Sequence, residues 1–384
     1  MESRIYEFID FGEENYLQYI GIAGTYTSYV SMIFNVFVFV ILCRKTLISP
    51  ATILMQGLAA ADFLTAFSSY GLEPLFQSNY VCEVIEDSKQ HNDKMMQACS
   101  LTYPQCVVAT HLSILSATFH TASYMITTCL GIQKVIAIRF PIWTKCKLSN
   151  RKSIICCVSC FWLSLAISLP RHVAVDYEPS EYLNRCKISV NVLFLEYSSL
   201  YYLMIQAVLV TSCCLVMLMS TIFIIYKLGN NKLRARMTQQ RVQERRSIIM
   251  VVIVLVVFLI SEVPRVIIYA WFCVKYIVSN IFFHPLDMAM VVARYEYGIA
   301  LLMGLATSID DLFNAIENFE YFSNIVEGVK LFTIVGCLSN FVIYIIMGKK
   351  MRAAISSIFG KPTRRSNVID DESTLSARNA TSIY

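Results

Sequence analysis

The feature that most constrains this chain is a recurrence of long apolar stretches. The hydrocarbon core of a bilayer takes a helix of about 20 apolar residues. Stretches of at least that length occur at about 18–43, 51–76, 106–138, 153–175, 192–227, 246–276 and 322–347. Charged residues make up only 15% of the chain, against 56% hydrophobic residues. A soluble domain carries about 25% charged residues, so this excess of apolar side chains needs a non-aqueous partner. Within lipid, each spanning segment must satisfy its own backbone hydrogen bonds, which selects helices. The expected fold is an all-α membrane protein, a bundle of seven transmembrane helices.

Orientation follows from charge. Arg44 and Lys45, Lys145 to Lys152, Lys227 to Arg246, and Lys349 to Arg365 crowd one set of connections. The other set is acidic, with Glu2, Glu7 and Asp10, then Glu83 to Asp93, then Asp176 to Glu181, then Asp287 to Glu320. The positive-inside rule makes the basic set cytoplasmic. The amino terminus is then outside and the carboxyl terminus inside, which requires an odd number of spans. This distribution also accounts for the net charge of +5 without a nucleic-acid partner.

The domain reading is an extracellular amino terminus at 1–17 and a transmembrane domain at 18–348, with a long last extracellular loop at 277–321. A membrane-surface helix at 349–360 and a disordered cytoplasmic tail at 361–384 follow. Residues 297–308 are apolar but too short to cross on their own; they are read as part of the long loop, as an interfacial helix, with an extra or re-entrant span as the second reading. Met1 to Tyr16 has no basic start followed by an apolar core, so the first span is expected to be an uncleaved anchor. The Ser/Thr-rich tail holds Ser373, Thr374, Ser376, Thr381 and Ser382. Phosphorylation there would create a charged segment suited to arrestin.

Polar residues inside spans are costly and mark the interior of a bundle. Asn35, Asp62, Ser123, Glu262 and Asn340, joined by Tyr344, are the candidate polar network. They either satisfy one another across helices or form a network that differs between two states. Enzyme signatures are absent from the sequence: no His-Glu-x-x-His, no Gly-x-Ser-x-Gly and no phosphate-cradling loop. The protein is expected not to be an enzyme. Cys157 and Cys160 have a metal-like spacing but no second ligand pair, so they read as apolar packing. None of the five histidines forms a metal pair along a helix.

Asn35, Leu58 to Asp62, Trp162, Pro264 and Asn340 to Tyr344 fall in an order and spacing that resembles rhodopsin-like G-protein-coupled receptors, over about residues 20–360. Four shorter strings are similar to the invertebrate myosuppressin, sex-peptide and FMRFamide-type receptor group expanded in nematodes. These are Phe119 to Ser123, Leu169-Pro170-Arg171, Ser261 to Pro264, and Ser339 to Tyr344. Related nematode chemoreceptors are similar too. There are departures. Gln133-Lys134-Val135 stands where the family has an acid, Arg and Tyr, and Tyr201 to Tyr226 lacks the usual proline. Glu262 and Phe341 replace a Trp and a Pro.

The resemblance implies a plasma-membrane receptor for an extracellular neuropeptide that acts on a heterotrimeric G protein. A chemosensory receptor for a small ligand is the alternative, and a seven-span channel or transporter is a third reading, although neither repeats nor a pore segment are visible. No cofactor is implied beyond a sodium ion near Asp62. The resemblance ties a cysteine at the start of the third span, here Cys106, to Cys186. Cys82 and Cys99 can form a second bridge. At the cytoplasmic side Lys134 and Glu244 are the candidate resting-state ion pair, with a pairing of Glu244 to Arg241 as the alternative. For an amidated peptide carrying arginine, Glu73 and Glu327 are the candidate cation partners. His120, Tyr124, Arg265 and Ile268 are the candidate floor of that pocket.

Overall fold

The structure, a computed structural model, describes residues 4–7, 10–11, 16–85, 96–173, 175–179, 186–190, 201–230, 249, 252–268, 270 and 327–340. Its long helices are α1 (Tyr16–Leu42), α2 (Pro50–Tyr70), α4 (Gln105–Arg139), α6 (Asn150–His172) and α7 (Tyr202–Asn230). Short helices α3 (Glu73–Gln77) and α5 (Pro141–Lys147) extend α2 and follow α4. Residues 252–268 and 327–340 are helical as well, and are called α8 and α9. Among the described residues, five segments are long and apolar enough to cross a membrane: Ile20–Leu42, Pro50–Phe76, Gln105–Arg139, Asn150–His172 and Tyr202–Lys227. α8 and α9 lie within the sixth and seventh spans read from the sequence.

Local chemistry sets the helix ends. Ser49 caps α2 by accepting from the backbone N–H of Thr52, while the Thr52 hydroxyl accepts from the Ser49 N–H, and Pro50 opens the first turn. Ser149 accepts from the Lys152 N–H. That cap starts α6 before the expected 153, and takes Asn150, Arg151 and Lys152 into the helix. α2 ends at Tyr70, and Glu73 belongs to α3. Pro74 has no N–H to continue the ladder, and the two helices together occupy the second span expected at 51–76.

α4 is the central helix and packs against α2, α6 and α7. Its Ile126 and Leu130 join Val38, Leu58, Leu255 and Met217 in the core. Outward faces are equally apolar: Ile33, Trp162, Val208 and Met219 are all more than 60% exposed on the isolated chain. Helices in lipid gain little from apolar burial against one another, so close backbone approach matters more. A Cβ on Gly57 would lie 2.6 Å from the Cys157 sulfur, and one on Gly24 would lie 2.8 Å from the Tyr70 ring. Polar side chains in the spans mostly return to their own helix. Thr25, Thr65, Thr118, Thr127 and Thr221 each donate to the carbonyl four residues earlier.

The helical class carries one addition that the sequence reading lacked. One end of the bundle bears two three-stranded antiparallel sheets. The strands are β1 (Arg4–Glu7), β2 (Asp10–Phe11), β3 (Tyr80–Ile85), β4 (Met96–Leu101), β5 (Val175–Pro179) and β6 (Cys186–Val190). Their orders are β1-β6-β5 and β2-β4-β3. The register sets Tyr6 opposite Ile188 and Cys82 opposite Cys99. Cys106 and Cys186 are joined by a disulfide with Cα atoms 6.5 Å apart, which ties β6 to the start of α4. The long loop 277–321 with its segment 297–308, the helix at 349–360, the tail at 361–384, Tyr344 and Glu244 lie outside the described residues.

Candidate functional site

Three polar layers stack through the bundle. The deepest centres on Asp62, which is fully buried. Ser123 of α4 donates to one carboxylate oxygen at 2.6 Å, and the Asn340 amide of α9 donates to the other at 2.8 Å. Three helices are thus joined at one carboxylate. The Oδ1 atom of Asn340 has no hydrogen-bond partner among the described residues. A sodium ion drawn to this layer would suit Asp62, the Ser123 hydroxyl and that Oδ1, since a hard cation takes oxygen ligands.

Asn35 does not join this layer. It is buried, but its amide donates to the Ser31 carbonyl at 3.0 Å and approaches the Ser31 hydroxyl at 3.2 Å, one turn back on α1. Glu262 does not join it either. The single network read from the sequence is therefore corrected to two separate clusters, because Glu262 finds charged partners nearer than Asp62.

The second layer centres on Glu262 of α8. His120 Nε2 lies 2.6 Å from one carboxylate oxygen, and Arg265 lies 3.5 Å from the other. Arg265 also donates to the Thr333 hydroxyl of α9 at 3.0 Å. Glu262 is completely buried and His120 nearly so. A buried ion must be compensated, and here the compensation joins α4, α8 and α9. The His120 ring is parallel to Phe258 and edge-on to Tyr124, with centroids 6.1 and 6.0 Å away. Tyr124 donates to Gln206 of α7 at 2.9 Å, and Gln206 donates to the Thr121 hydroxyl at 3.2 Å. Ile268, two turns of helix from Glu262, is partly buried.

The third layer lies toward the strand-bearing end. Tyr70 donates to a Glu327 carboxylate oxygen at 2.5 Å, and Lys330 pairs with the other oxygen at 3.3 Å. The Lys330 ammonium sits 4.6 Å from the centre of the Tyr70 ring. Glu73 is partly buried, and its charge acts together with those of Lys330 and Glu327. The side chains of Glu327 and Lys330 are 27% and 25% exposed, so this layer opens outward while the other two are closed.

The sequence pointed to His120, Tyr124, Glu262, Arg265 and Glu327 but not to how they group. It missed Tyr70, Gln206 and Thr333. Gln206 had a visible signal, as an amide in a long apolar run; Tyr70 and Thr333 had none. Trp162, one of the residues that carried the family resemblance, is 69% exposed on the lipid side and takes no part in these layers.

The structure adds neighbours to two groups of possible ligating residues. Cys160 meets Cys129 and Cys156, with the three sulfurs within 4.8 Å of one another, while Cys157 approaches the Ile53 carbonyl at 3.9 Å. Neighbouring helices supply partners that spacing along one helix could not show. His111 of α4 likewise lies against His172 of α6, a pairing between helices that leaves the absence of a pair along one helix standing. At the other end of α4, Gln133 is buried and Lys134 partly so.

Residues 34–295 match a family model described as 7 transmembrane receptor (rhodopsin family). No curated protein matches the chain significantly.

Proposed function

Since this chain belongs to the rhodopsin family of 7 transmembrane receptors, and is therefore a multi-pass plasma-membrane protein rather than an enzyme, we propose that its ligand is an extracellular peptide. The peptide ends in an amidated aromatic residue preceded by arginine, and the receptor passes the signal to a heterotrimeric G protein. In this reading the strand-bearing end faces outward. The acidic connections on that side and the basic connections on the other support the orientation.

The observation that carries the proposal is the open third layer. Glu327 and Glu73 offer two carboxylates in a partly exposed layer, and among the described residues Lys330 is the lysine that meets them. A guanidinium can engage a carboxylate through two parallel hydrogen bonds, which a lysine cannot match. The ligand's arginine would take Glu327 from Lys330, and the Tyr70 ring would receive its stem. The aromatic end of the ligand would then reach toward His120, Tyr124 and Arg265, where Glu262 links α8 to α4 and α9. A ligand that disturbs those links changes how α8 is held, and the G protein reads the opposite end of the same helices.

The test is a dose–response series with amidated peptides on cells expressing Glu327→Gln and Glu73→Gln at matched surface levels. Losing one partner of a hydrogen-bonded charge pair costs about 2–5 kcal/mol, so potency should fall well over tenfold in at least one variant. The penalty for replacing the peptide's arginine should shrink in that variant. Potency within about threefold of wild type in both would remove the third layer as the cation site. A receptor that answers small molecules and no peptide would favour the chemosensory reading instead.

A further inference from the structure

The three ligand and switch layers do not use the pair His111 and His172. His111 lies in the second turn of α4 and His172 ends α6, both at the strand-bearing end. Their Nδ1 atoms are 2.9 Å apart. The ring centroids are 5.1 Å apart with planes 25° from parallel. The nitrogens are far closer than the centroids, so the rings meet edge to edge with Nδ1 facing Nδ1. Both side chains belong to partly buried residues that solvent can reach. Tyr177 of β5 stands edge-on to the His111 ring, with centroids 6.1 Å apart. The neighbouring cation, Arg171, has its guanidinium over the Tyr202 ring at 4.2 Å.

We propose that His111 and His172 form a zinc site on the outer face of the receptor, clasping α4 to α6 beneath the β5–β6 hairpin. Neutral imidazole nitrogens are the commonest ligands of borderline-soft divalent metals. Zinc holds each nitrogen at about 2.0–2.1 Å in a tetrahedral arrangement, which sets two nitrogens about 3.3 Å apart. The pair reaches that spacing by parting a few tenths of an ångström, within the reach of side-chain rotation. In the metal-free pair one Nδ1 carries the shared hydrogen. On binding, that hydrogen moves to Nε2 of the same ring and both Nδ1 lone pairs face the metal, with no net proton released. Water fills the remaining positions. Because Tyr177 packs on His111, the metal also steadies β5, and through β6 and the Cys106–Cys186 disulfide it braces the start of α4. This inference rests on His111 and His172, neither of which takes part in the ligand reading.

The experiment uses the purified full-length receptor in lipid nanodiscs, titrated with zinc chloride against a fluorescent chelator. Thermal unfolding is followed in parallel with zinc or magnesium present. The wild type is compared with His111→Asn, His172→Asn and the double variant; asparagine retains a polar amide at each position. Losing even an outer-sphere partner costs about 10–100-fold in metal affinity, so each single variant should lose at least about tenfold at its tightest site. Zinc should raise the wild-type unfolding midpoint and leave the double variant's unchanged, and magnesium should raise neither. Equal zinc affinity in wild type and double variant would overturn the site. So would a wild-type midpoint that zinc does not move, whatever the variants do. Neither readout depends on peptide activity.

Discussion

Asp62 and Glu262 are both completely buried carboxylates in the membrane interior, and they are held in opposite ways. Asp62 receives hydrogen bonds from a hydroxyl and an amide, both neutral donors. Glu262 is set between His120 and Arg265, so its layer is already compensated. The first arrangement joins three helices through neutral donors; the second joins three helices through charge.

The distinction can be broken most directly at Glu262. Glu262→Ala leaves His120 and Arg265 without their partner in a dry site, which costs about 3–5 kcal/mol for a buried pair broken on one side. Thermal unfolding of the ligand-free receptor measures it, and a loss no greater than that of Asp62→Asn would erase the contrast. Replacing Glu262 and Arg265 together by apolar residues of similar size should restore most of the loss, because no charge then stays uncompensated.

Asp62→Asn should be milder, at about 1–3 kcal/mol, the cost of a buried polar group left with one mismatched partner. Its sharper signature is ionic. Any dependence of ligand affinity on sodium in the wild type should vanish in this variant, measured as binding in sodium against a large organic cation. Sodium dependence that survives Asp62→Asn would place the cation elsewhere.

Ser123→Ala removes one neutral hydrogen bond to Asp62 and should cost about 0.5–1.5 kcal/mol. Asn35→Ala should cost less than Ser123→Ala in the same unfolding assay, since among the described residues Asn35 bonds only within its own helix. If Asn35→Ala matched Asp62→Asn, the two would share a network after all and the separation of layers would fail.

How far the sequence reaches differs from residue to residue. Asp62 and Glu262 stood out because an acid in an apolar run is rare enough to be read without coordinates. Their partners did not. Ser123, Asn340 and Glu262 were grouped with Asn35 as one network, yet nothing in the sequence distinguishes a polar side chain bonded across the bundle from one bonded to the turn below. His120 was legible as a pocket residue, but its 2.6 Å contact with Glu262 joins positions 142 residues apart. Tyr70 was invisible, being one of 22 tyrosines. The strands were missed because β2 is two residues long and the others four to six, too short to stand out from the loops that hold them.

The sequence alone determined that this chain crosses a membrane as helices, roughly where each span lies, and which side the charges favour. Those properties follow from transfer free energies that each segment carries by itself. The tertiary structure decided which buried acid meets a cation and which meets neutral donors. It also decided that Cys160 meets Cys129 and Cys156, that His111 faces His172, and that the amino terminus pairs with β6. Those outcomes depend on how each helix is rotated and how deep it sits against its neighbours. A rotation of one residue, about 100°, exchanges one partner for another while leaving the apolar pattern almost unchanged.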